Sequence, residues 1–236
     1  YLKSIKLDKT YIGSYIALGS IYLDKNESNL ANDIFEKASI VANNILQNHD
    51  LKDIDEIWDN FWDKVKPLGK KLKCLLFQMS PSFVCNELNL KRLNKLYKKI
   101  KKIKCNIVFE FRDISWFNDE IYELFSKFNW TISSTYIKKT KESGWLNNMP
   151  NGFNIVPKTS NVSYMRIHGA RGYRGEMKKK QLAEMLNKIK DIKCKENYVF
   201  FNNVFFTDRS EYCVYNKTKI KYSAVCNAVE FSNMTK

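Results

Sequence analysis

The chain has 236 residues, room for one large domain, and its 44% hydrophobic and 14% aromatic content excludes a disordered polymer. No apolar run reaches the roughly 18 residues of a membrane span and no leading stretch reads as a secretory signal, so no membrane partner and a cytoplasmic, intracellular location are expected. The formal charge of +15 suits an anionic small molecule or nucleic acid as partner, although a Lys-, Asn- and Ile-rich coding bias yields the same excess.

The chain opens at Tyr1 in mid-pattern, without a methionine, and reads as part of a longer product. From residue 53 onward the pattern alternates. Spacing predicts a helix over Ile54–Val65, ended by Pro67 and Gly69. CLLFQM (74–79) is a short apolar run stopped by Ser80 and Pro81, hence a buried strand. Residues 86–102 form an amphipathic helix, with Leu90, Leu93, Leu96, Tyr97, Ile100 and Ile103 on one stripe and lysines opposite. NIVFEF (106–111) is a second strand. Residues 118–128 form a helix, with Asn118, Asp119 and Glu120 as cap and first-turn acids. WTISSTY (130–136) is a third strand, followed by a loop through Pro157. VSYMRI (162–167) is a fourth, residues 176–192 a helix, YVFFN (198–202) a fifth strand, and residues 223–231 a closing helix. Apolar strands alternating with helices predict an α/β fold with a parallel sheet. No glycine-rich phosphate loop follows any strand.

Side chains alternate faces along a strand. Glu110 and Arg112 therefore share a face, as do Arg166 and His168. Gln78 and Asn202 end their strands in the same way. All six stand at strand C-termini, where parallel α/β folds build their sites. One choice of face per strand sends them into a single basic pocket. Glu110 needs a cationic partner there, Arg112 or Arg166, because a lone buried charge is very costly. An ion-pair network that merely ties strands together is the structural alternative. Positive charge left over favours an anionic ligand, since arginine forks bind phosphate and carboxylate oxygens. His168, in RIHGARGY, is the proton-transfer candidate. His49 reads as a surface residue. Trp116 and Trp62 are the aromatic candidates near the mouth, with packing of a turn as the alternative for Trp116. Asn203 stands beside Asn202.

Two histidines and six scattered cysteines without a CxxC pair give no zinc site. The cysteines read as reduced, partly buried thiols. The cofactor is undetermined, with room for a carboxylate-bound divalent cation.

The stretches FWDKVKPLGKKL (61–72), LLFQMSPSF (75–83), EFRDISWF (110–117), RIHGARGY (166–173), FNN (201–203) and Asn227-Ala228 occur in that order. In order and spacing the chain resembles the YecE-like TIM-barrel family, a widespread domain of unknown function. The resemblance spans roughly residues 35–232 within a single domain of 1–236, leaving 1–34 divergent. It implies a (β/α)8-type barrel with its site at the strand C-termini, and no established reaction. FEKAS (35–39) is similar to the family's third-strand motif and brings Lys37 into the ligand-binding set. Tyr11-Ile12-Gly13-Ser14 is similar to its first-strand motif. The acid of the second strand and a Thr-His pair have no counterpart, and the interval from Gly13 to Lys37 is short by about one strand–helix unit. The barrel is therefore expected to be incomplete or irregular in its N-terminal strands.

Three functions follow. In a hydrolase or lyase acting on a phosphate-bearing substrate or nucleic acid, His168 and Glu110 are catalytic, and Arg112, Arg166, Gln78, Asn202, Asn203, Trp116 and Lys37 bind the ligand. A non-catalytic anion or nucleic-acid binding module keeps the pocket without proton transfer. An inactive, degenerate copy keeps neither.

Overall fold

A computed structural model describes residues 54–138, 148–170, 176–201, 213–215, 218–220 and 223–235, together with 2–7 and isolated positions up to 51. The chain groups into two units. The first comprises Tyr1–Lys73, Phe77–Ser80 and Glu87–Ile103, the second Cys74–Leu76, Pro81–Asn86 and Lys104–Lys236.

The first unit opens with a short helix, α1 (Leu2–Leu7). Ser14 and Tyr15 are helical and buried. Tyr15 and Leu18, three apart, are both buried, which is helical rather than strand spacing. The expected strand motif at 11–14 is therefore corrected at its described end. Helix α2 (Ile54–Val65) buries Ile54, Trp58 and Val65 along one stripe. Trp58 stacks on Trp62 (5.6 Å) and on Phe77 (6.0 Å). Trp62 thus serves an aromatic cluster of this unit. Helix α3 (Glu87–Ile100) buries Leu93, Leu96 and Ile100. Its lysine face is not wholly given to water: Lys95 pairs with Asp55 at 2.5 Å and Lys99 with Asp59 at 3.0 Å.

The second unit holds the sheets. Strands β1 (Cys74–Gln78, its first three residues in this unit), β2 (Asn106–Glu110) and β3 (Thr131–Ile132) are neighbours in that order. A second sheet runs β5 (Gly152–Asn154), β4 (Ser134–Ile137), β6 (Val162–Ile167), β7 (Glu196–Phe201). Only Ser133 separates β3 from β4, and its N–H donates to the Phe109 carbonyl at 2.7 Å, continuing the ladder with β2. The pairs β2–β3, β4–β6 and β6–β7 are parallel. Strand β5 is antiparallel to β4 and was not expected.

Helices cover one face. Helix α4 (Asp119–Phe128) starts where Asn118 Oδ1 accepts from Ile121 N at 3.1 Å. It ends where Asn129 adopts φ 53°, a left-handed cap. Its Phe125 meets Phe109 edge-on at 5.5 Å and Phe111 at 5.6 Å. Helix α5 (Lys179–Asp191) packs Leu182, Met185 and Ile189 against Met165 and Ile167 of β6. An antiparallel hairpin, β8 (Cys213–Tyr215) with β9 (Thr218–Ile220), precedes α6 (Ser223–Met234). Four cysteines, 74, 85, 105 and 194, are free thiols. Cys226 is disulfide-bonded, which corrects the expectation of reduced thiols throughout.

Candidate functional site

Outward packing fixes what faces inward. Phe109 and Phe111 lie against α4, so the alternate residues Glu110 and Arg112 take the other face of β2 and its extension. Met165 and Ile167 lie against α5, so Arg166 and His168 take the other face of β6. The two pairs converge. Arg166 Nη1 donates to Glu110 Oε2. Arg112 Nε stands 3.5 Å, and His168 Nε2 3.8 Å, from Glu110 Oε1.

The centre of this cluster is buried and its edge is reachable. Glu110 is fully buried and His168 is 2% exposed, whereas the side chains of Arg112 and Arg166 retain 15% and 18% exposure. Burial alone would raise the Glu110 pKa, but Arg166, His168 and Arg112 together outweigh it and hold the carboxyl below its ordinary value. Burial pushes the His168 imidazole down to about 4, despite the attraction of Glu110. At neutral pH these four side chains therefore comprise two guanidinium groups, one carboxylate and a neutral imidazole. Behind His168, Gly169 adopts φ 133°, a conformation that a side chain would strain.

Four expected residues are thus brought together: Glu110, Arg112, Arg166 and His168. Gln78 is buried at the end of β1, within the first unit. Lys37, His49, Asn202 and Asn203 lie outside the described residues. Trp116 is corrected. It is fully buried, stacks on Phe111 (4.3 Å) and Phe83 (5.2 Å), and donates from Nε1 to the Phe83 carbonyl at 2.5 Å. With its ring faces covered and its N–H bonded, it packs the strand-to-helix turn. Asn227, part of the family resemblance, also has a structural task. Its amide bonds both backbone groups of Met177, at 2.9 and 2.8 Å, fixing the chain before α5 onto α6.

Two inward residues were missed. Thr135 of β4 is paired in register with Arg166 of β6 on one side and Asn154 of β5 on the other. Three consecutive hydroxyl residues, Ser133-Ser134-Thr135, hide the alternation that would have marked Thr135 as inward. Among the described residues no group of three or more His, Cys, Asp or Glu is placed to hold a metal ion. A groove of about 440 Å³, lined by Lys179, Val214, Val229 and Glu230 among others, includes none of these site residues.

A family model described as "Protein of unknown function DUF72" matches residues 31–234. Among solved structures, a DUF72 family protein from Thermotoga maritima is similar at 24% identity and TM-score 0.57, over 77% of this chain and 65% of that one. A DUF72 family protein from Enterococcus faecalis is similar at 20% identity and TM-score 0.58, over 77% of this chain and 68% of that one. The chain thus spans about two thirds of the length of these relatives, and the likeness speaks to fold alone. No curated protein matches it.

Proposed function

The chain belongs to the DUF72 family, the same family as the YecE-like proteins, whose function is unknown, and on that premise we propose that it binds a phosphate-bearing ligand at the C-terminal ends of its parallel strands. One observation carries the reading: two partly exposed arginines converge on a single buried carboxylate, which holds their guanidinium forks at the reachable edge of the cluster, where phosphate oxygens can meet them. Glu110 orients the Arg166 fork, and Arg112 completes the clamp.

The order of strands supports a (β/α)8-type barrel around this site. Joined through Ser133, the two sheets run β1, β2, β3/β4, β6, β7, in the order of the sequence apart from the inserted β5. A doubly wound sheet would reverse direction. The free thiols fit a cytoplasmic protein, while the Cys226 disulfide counts against one. Among the described residues no helix is long and apolar enough to cross a membrane.

Inorganic phosphate, titrated into the purified chain, is expected to raise its melting temperature, and Arg112→Ala to abolish the rise. Arg166→Ala alone removes the hydrogen-bonded partner of Glu110 and leaves the buried carboxylate only the more distant Arg112, at 3.5 Å, which destabilises the fold. It is therefore tested together with Glu110→Gln, which restores stability but not phosphate binding. An undiminished rise in Arg112→Ala contradicts the reading.

An enzymatic reading casts His168, whose Nε2 stands 3.8 Å from Glu110 Oε1, as proton acceptor in a hydrolase or lyase, although a pKa lowered to about 4 makes it a weak base at neutral pH. Its mark is phosphate release from a bound ester that is lost in His168→Gln while binding persists.

A further inference from the structure

Glu110 Oε1, Thr135 Oγ1 and Asn154 Nδ2 are among the buried polar atoms of this unit that make no hydrogen bond among the described residues. The sheet sets them on one face. Tyr136 and Phe153, adjacent to Thr135 and Asn154, are paired in register and meet ring to ring at 4.4 Å. Tyr136 belongs to the core beneath α5. Thr135 and Asn154 therefore point the other way, toward the face that carries Arg166. Thr135 is fully buried, and Arg166 links the row Asn154–Thr135–Arg166 to Glu110.

Native interiors leave few such atoms unbonded, because each costs about 1–3 kcal/mol. Their chemistry is also selective. A carboxylate oxygen only accepts, an amide nitrogen only donates, and a hydroxyl does both. An ionised phosphate oxygen would satisfy the amide but repel the carboxylate. An alcohol hydroxyl satisfies all three: it donates to Glu110 Oε1 and accepts from Asn154 Nδ2 and from Thr135 Oγ1. Resting on the phosphate-binding reading, we infer that the ligand is a hydroxylated phosphate ester, a polyol or sugar phosphate, whose hydroxyl is bound by Glu110, Thr135 and Asn154 beside the phosphate on the arginines. A water molecule would satisfy the same three atoms, but it would confer no preference among ligands.

Calorimetric titration compares glycerol 3-phosphate, n-propyl phosphate and inorganic phosphate on wild type, Thr135→Val and Asn154→Ala. Wild type is expected to bind glycerol phosphate about tenfold tighter than propyl phosphate, the worth of one good hydrogen bond. Thr135→Val, which removes only the hydroxyl, is expected to cut that ratio severalfold. It should leave inorganic phosphate binding unchanged and the melting temperature equal or higher. A wild-type ratio near one, or a ratio that survives in both variants, overturns the inference and leaves phosphate binding standing. Failure of all three compounds to bind wild type overturns the phosphate reading, and this inference with it.

Discussion

A buried, neutral histidine beside a buried, ionised glutamate makes the core of this cluster sensitive to acid. His168 has its pKa lowered from 6.5 to about 4. As pH falls through that window the unfolded chain takes up a proton that the folded chain refuses, so stability falls. The loss reaches about 3 kcal/mol at full extent. Glu110, held below 4.5, acts in the same direction at still lower pH: its contribution is present above its unfolded value and vanishes as the folded carboxyl is protonated. Urea unfolding at a series of pH values from 7 to 4 is expected to show this decline in wild type. His168→Gln should flatten it. An equal slope in the variant would place the acid sensitivity elsewhere. The four members of the cluster were legible in the sequence because alternation within NIVFEFR and VSYMRIH sorts charged from apolar residues. Thr135 was not, since its neighbours are as polar as itself. Asn154 was not, since nothing marked residues 152–154 as a strand.

At the level of elements, legibility followed the length of the apolar pattern. Helix α2 and strand β6 occupy the expected bounds, Ile54–Val65 and Val162–Ile167. Strand β5 has three residues, Gly-Phe-Asn, and gains its order from Thr135, Tyr136 and Ile137 across the ladder. No local signal specifies such a segment. The same holds for the three-residue strands β8 and β9. Helix α4 shows the opposite case, a start written locally. The Asn118 side chain bonds the Ile121 N–H, satisfying one of the free donors of the first turn. Asn118→Ala is expected to cost about 1 kcal/mol in chemical denaturation, and Asn118→Asp to cost little, since a carboxylate also caps and suits the helix dipole. A neutral Asn118→Ala would mean that packing of Phe125 and Ile121 holds this helix without its cap.

For the whole molecule, the way the chain is divided bears on how it unfolds. Domain boundaries normally fall in exposed linkers that few contacts cross. Here the divisions fall between Lys73 and Cys74, Leu76 and Phe77, Ser80 and Pro81, Asn86 and Glu87, and Ile103 and Lys104. One of them cuts strand β1 in the middle. Losing the second unit would leave Phe77 and Gln78 without the first half of their own strand. Losing the first would strip β1 of its C-terminal half. If the five-residue strand divided between them couples the two units, they unfold together, as the single domain expected from the sequence would. Scanning calorimetry is expected to give one transition, with calorimetric and van't Hoff enthalpies equal. Two resolved transitions, or a calorimetric enthalpy well above the van't Hoff value, would show that the units unfold separately. Inorganic phosphate adds a second reading to the same experiment. A ligand bound in the second unit stabilises whatever unfolds together with Glu110 and Arg166. If unfolding is a single event, phosphate moves the whole transition; if it is not, phosphate moves only one of two.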